Sequence, residues 1–111
     1  MAYDVALAAR VRALLADNPT VREQPMFGGL AFLLAGRMAV AASGQGGLLV
    51  RVGAENADRL LATTAAQPME MKGRTMRGWL HVEPQHLQSE SQLAEWIAVG
   101  TVAASLTAST G

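Results

Sequence analysis

Between Tyr3 and Ala16 the apolar residues Leu7, Val11, Leu14 and Leu15 recur at helical spacing, while Arg10, Arg12 and Asp17 lie off that stripe. The pattern predicts an amphipathic helix, ended at Asp17-Asn18-Pro19 because proline restricts the residue before it and cannot continue the backbone ladder. From Gly28 the period changes to two. Leu30 to Leu34, Met38 to Ala42 and Leu48 to Val52 read as strands, and the connections Ala35-Gly36 and Gly44-Gln45-Gly46-Gly47 are short enough to make antiparallel hairpins. Ala54 to Thr63 reads as a second helix, with Glu55 and Asp58 near its positive end and Leu60 and Leu61 facing inward. Two strands follow, Pro68 to Lys72 and Met76 to Val82, joined around Gly73-Arg74; Met69 and Met71 alternate with Glu70 and Lys72. Glu83-Pro84 closes the last strand. Ser89 with Gln92 forms a capping box for a final helix to Leu106, whose apolar side is Leu93, Ile97 and Ala104 with Trp96 adjacent.

The order α-β-β-β-α-β-β-α predicts an α+β fold, a five-stranded antiparallel sheet with flanking helices. It forms a single domain over residues 1–106, followed by a small polar tail over 107–111 that is expected to be flexible. Alternation divides the sheet. Leu30, Phe32, Leu34, Met38, Val40, Leu48, Val50, Val52, Met69, Met71, Leu80 and Val82 are expected to face the helices. The opposite side then carries Ala31, Leu33, Ala39, Ala41, Leu49 and Trp79, too apolar for a solvated face. Either the final helix or a second chain covers it, and a second copy of the chain is the expected cover.

Length and composition narrow the class. The 111 residues suit one core, and with half of them hydrophobic and 16% charged the chain is expected to fold rather than stay disordered. Nine basic residues balance nine acidic ones, so the broad positive field that drives binding to a polyanionic backbone is missing, which argues against direct nucleic-acid contact. With no cysteine, disulfides, thiolate nucleophiles and sulfur-ligated metals are excluded. Met1 to Arg10 has no basic start leading into a continuous apolar run, and no segment approaches the roughly 18 apolar residues of a spanning helix. These features predict a cytoplasmic protein that does not enter the membrane.

The chemistry-bearing residues favour no reaction. The loop at Gly44 to Gly47 leads into a strand, whereas a phosphate loop opens a helix and carries a following lysine. His81 and His86 lack enough neighbouring ligands for a metal, and His81 is expected on the outer sheet face beside Trp79. Ser43 has no recognisable base and acid, and Glu70 and Glu83 are expected on solvated faces. No catalytic, cofactor-binding or metal residue is therefore assigned. The basic residues Arg37, Arg51, Lys72, Arg74 and Arg77 all fall on strands or their turns, Arg51 and Lys72 sharing the outer face. They define a candidate patch for a carboxylate or phosphate.

One string stands out, Met26-Phe27-Gly28-Gly29, expected to plug the gap between the first helix and the sheet. Together with Phe32, Gly36-Arg37-Met38, Arg51-Val52, Gly73-Arg74, Met76 and Gly78-Trp79 it resembles the amino-terminal domain of the TfoX/Sxy family, over roughly Ala6 to Leu106. The resemblance implies an α+β fold similar to type III secretion chaperones. Full-length members join this domain to a carboxy-terminal helical domain, and the best-known regulate competence for DNA uptake; this sequence is expected to be the first domain standing alone. No catalytic residues come with the resemblance. The expectation is a non-enzymatic protein-interaction module, open to a regulatory role, acting on itself or on another protein. The alternative is a domain that binds or processes a small anionic ligand through Arg51, Arg74 and Arg77 around Trp79. The candidate surface comprises Met26, Phe27, Leu33, Leu49, Arg51, Arg74, Arg77, Trp79 and His81.

Overall fold

The computed structural model describes residues 3–26, 28–71 and 73–110. In chain order the elements are α1 (Val5–Leu14), β1 (Arg22–Met26), β2 (Gly29–Leu34), β3 (Arg37–Ala42), β4 (Leu48–Arg51), α2 (Ala54–Thr63), β5 (Gln67–Met71), β6 (Arg74–Val82), a 3-10 turn (Pro84–His86) and α3 (Glu90–Thr110). The strands form one six-stranded sheet in the order β1-β2-β3-β4-β6-β5, with every neighbouring pair antiparallel.

The architecture is α+β as expected, but the sheet has six strands, not five. The additional strand, β1, reads Arg-Glu-Gln-Pro-Met, and four of its five residues are exposed. It pairs only with β2, from Arg22 opposite Leu33 to Met26 opposite Gly29. An edge strand of this kind tolerates proline and charge because one row of its backbone groups faces solvent. Met26 pairs with Gly29, so β1 and β2 form a hairpin. At Gly29 a side chain has no room, since a Cβ there would lie 2.0 Å from the Ala42 carbonyl oxygen.

Helices α1 and α3 pack on one face of the sheet. The core on this side joins Leu7, Val11 and Leu15 with Leu93, Ile97 and Ala104 over Phe32, Val40, Leu48, Val50, Leu80 and Val82. Leu60, Leu61 and Trp96 pack against its margin. Phe32, Leu48, Leu80, Leu87 and Leu93 are among the fully buried side chains, each worth about 1.5–3 kcal/mol over an exposed placement. The final helix thus lies on the core face and does not close the opposite one. It is capped as expected: Ser89 Oγ accepts from the Gln92 amide at 3.1 Å, and the Ser89 amide donates to Gln92 Oε1 at 3.2 Å. It runs on through Thr110, past the expected end at Leu106, while Gly111 lies outside the described residues.

The strict alternation expected along β3 fails at one point. Phe32 pairs with Val40 but Leu33 pairs with Met38, so one step on β2 spans two on β3 and Ala39 is the extra residue of a bulge. The bulge exchanges two assignments. Ala39 joins the helix-side core, while Met38 turns to the second face, where Met69 also lies. The expectation for Met71 concerns a side chain outside the described ones. A larger irregularity bends β6: Pro68 pairs with Leu80 and Glu70 with Thr75, two steps on β5 against five on β6. Among the described residues no helix is long and apolar enough to cross a membrane.

Candidate functional site

The second face of the sheet is apolar, as the alternation implied, yet it is closed to water. Ala31 and Ala41 sit directly opposite each other at its centre and are 0% and 1% exposed. They cluster with the buried Met38, Leu49 and Met69, ringed by the half-buried Met26, Leu33, Met76 and Trp79. Among the described residues, no helical one belongs to this cluster. Strand side chains alone build it.

Arg51 stands at the border of that cluster. It lies two residues beyond Leu49 on β4 and directly opposite Trp79 on β6, so strand geometry places it on the same face as both. Its guanidinium carbon is 4.8 Å from the centre of the Trp79 ring, and its Nε donates to the Met38 carbonyl oxygen at 2.6 Å. Stack and hydrogen bond together fix the plane of the guanidinium and leave its terminal nitrogens as the remaining donors. Burial pushes the Arg51 guanidinium below its ordinary value, and the nearby charge of Arg37 pushes it in the same direction. Arg37 opens β3 next to the turn at Ala35-Gly36. Its Nε is buried and has no hydrogen-bond partner among the described residues. The ion pair among the described residues is elsewhere, between Arg12 and Glu23. Arg37 pairs with Leu34 of the helix-side core, so it stems from the other face of the sheet. Arg51 presents its terminal donors at the second face and forms no ion pair among the described residues, an arrangement that an incoming oxyanion relieves.

The structure gathers part of the candidate surface. Met26, Leu33, Leu49, Arg51 and Trp79 meet on the second face. His81, opposite Leu49, stands on it too, its Nε2 donating to the Gly46 carbonyl at 2.8 Å. Met26 therefore packs under the second face and not in the gap between α1 and the sheet. Arg74 and Arg77 are exposed, and Arg77 shares only the wall of a cleft of about 90 Å³ with Trp79, Met76 and the α2 residues Asp58 and Leu61. Phe27 and Lys72 lie outside the described residues. Ser43 is spent on its turn, its Oγ accepting from the Gln45 amide at 3.1 Å. A second cleft, of about 470 Å³, lies between Asp4, Leu7 and Arg10 of the first helical segment and Glu83 to Gln88.

Arg37 is the residue that sequence reasoning passed over within its own basic cluster. The usable signal was its place as the first residue after a two-residue hairpin turn, with Arg51 ending the strand that pairs with β3.

A search of curated proteins returned no match. Residues 13–104 match the TfoX N-terminal domain, a span that holds the whole sheet, α2 and most of α3 but only the end of α1. On that match the chain belongs to the TfoX N-terminal domain family.

Proposed function

We propose that this domain is a non-enzymatic, cytoplasmic binding module that captures an anionic group at Arg51. The observation that carries the reading is the Arg51 guanidinium, stacked on Trp79 and forming no ion pair among the described residues. Trp79 and the Met38 carbonyl support it by holding the Arg51 fork in one orientation, which lowers the entropy lost when a carboxylate or phosphate docks. Calorimetric titration with acetate, citrate and inorganic phosphate at low ionic strength tests it. Arg51→Gln is expected to weaken oxyanion binding more than tenfold, whereas Arg59→Gln on α2 leaves it unchanged. Equal losses in both variants, or no binding to the native protein, contradict the reading.

A second reading, a module acting through protein contacts and pairing with a copy of itself, draws on the same face. Its support is that no described helix residue enters the second cluster, whose rim of Met26, Leu33, Met76 and Trp79 is only half-buried. Light scattering separates the two: a stable dimer at micromolar concentration favours the second, a monomer at all concentrations the first. The regulatory role implied by the likeness to competence regulators fits either, since capture of a ligand or a partner is how a domain without chemistry reports a state.

A further inference from the structure

The two faces of the sheet differ in sulfur. Four of the nine described residues that build the second face are methionines, Met26, Met38, Met69 and Met76, whereas the described helix-side core holds none. Their exposure differs too. Met38 and Met69 are 8% and 4% exposed, while Met26 and Met76 stand at the half-buried rim. Met76 also has an opening beside it. It lies in the bend of β6, between Thr75, which pairs with Glu70, and Leu80, which pairs with Pro68, so the regular ladder to β5 is interrupted there. At that bend Met76 and Trp79 line the cleft of about 90 Å³ together with Thr75, Arg77 and Asp58 of α2. A single water needs only about 10–15 Å³ of such space. A molecule as small as hydrogen peroxide therefore has access to Met76 and not to the buried Met38 and Met69.

We propose that Met76 is a site of reversible oxidation by a hydroperoxide, and that its sulfoxide resets the second face. With hydrogen peroxide the thioether sulfur attacks one peroxide oxygen. An S–O bond forms, the O–O bond breaks, sulfur gives up two electrons to the peroxide, and the departing hydroxide takes the proton of the transferred hydroxyl and leaves as water. The product exchanges a flexible apolar side chain for a polar one, which disrupts methionine-rich packing. A sulfoxide oxygen needs a donor, and the cleft wall supplies the Thr75 hydroxyl and the Arg77 guanidinium. The modified side chain is thereby drawn from the apolar cluster toward the cleft. Trp79 shares both cluster and cleft with Met76 and carries the Arg51 guanidinium over its ring, so the change reaches the charged border of the face. Sulfoxide reductases reverse the step.

The test is a hydrogen peroxide time course on the intact native protein, each methionine being followed by its assigned ε-methyl signal in a carbon-13 correlation spectrum. The Met76 signal is expected to convert about tenfold faster than those of Met38 and Met69. Trp79 fluorescence, read in a Trp96→Phe background, is expected to change in step with it. A mixture of the two epimer-specific sulfoxide reductases is expected to restore both signals. Met76→Leu should abolish the early fluorescence change, and Met26→Leu should retain it. Because the native protein alone gives the order of oxidation, a variant that fails to fold leaves the test standing. Conversion of Met76 no faster than Met38 and Met69 overturns the proposal. Early conversion of Met76 that leaves Trp79 unchanged, or a sulfoxide that the reductases do not restore, overturns it as well. Neither result turns on whether an anion binds at Arg51.

Discussion

Gly100 of α3 rests directly on the backbone of Ala39 at the β3 bulge: a Cβ at position 100 would lie 2.5 Å from the Ala39 carbonyl oxygen and 2.8 Å from Val40 Cγ1. The contact couples the bulge that turns Met38 to the second face with the helix that closes the first.

Gly100→Ala is therefore expected to destabilise the domain. Helix propensity alone favours alanine by about 1 kcal/mol, but the clash is with backbone, which has little freedom to move. A net loss of about 1–3 kcal/mol follows from overpacking, read as a lower denaturation midpoint. A stabilised variant would mean that α3 does not approach β3 this closely.

The β2–β3 turn offers the opposite sign. Ala35 adopts φ 52° and Gly36 φ 84°, the left-handed pair of a two-residue hairpin that favours Asn-Gly. An alanine held there carries strain of about 1 kcal/mol. Ala35→Asn should raise stability by up to about that amount in urea unfolding, and an unchanged or lower midpoint would contradict the turn.

Arg12 on α1 and Glu23 on β1 form a two-point ion pair, Nε to Oε2 at 2.5 Å and Nη2 to Oε1 at 2.8 Å. The hydrogen bond from Arg12 holds the Glu23 carboxyl below its ordinary value of 4.5. A lowered carboxylate contributes stability above the pKa of the unfolded chain and loses it as pH falls through the folded one. Wild type should exceed Glu23→Gln in thermal midpoint at neutral pH, by a small margin because the pair is exposed. The difference should vanish on the acid side of 4.5. A gap that persists in acid would show that the pair contributes nothing through charge.

Local chemistry was legible and tertiary events were not. The Ser89–Gln92 capping box and the bounds of α2 follow from residues within one or two turns of each other, and both appear as read. β1 escaped because Arg22 to Pro25 carry no apolar alternation; only the edge of an existing sheet makes them a strand. Met38 and Ala39 exchanged faces because a bulge depends on pairing register between strands, which period-two reading assumes away. The site was half legible for the same reason. Arg51 and Trp79 emerged from their own strands, whereas the hydrogen bond that Arg51 gives to the Met38 carbonyl depends on the bulged register of β3.

The most direct test of the account is an Nε–Hε correlation spectrum of the arginine side chains during an acetate titration. A saturable shift of the Arg51 signal, with Arg59 and Arg74 unmoved, is the predicted result. An Arg51 signal that stays fixed throughout, or that moves no more than those of Arg59 and Arg74, would contradict an anion site on this face.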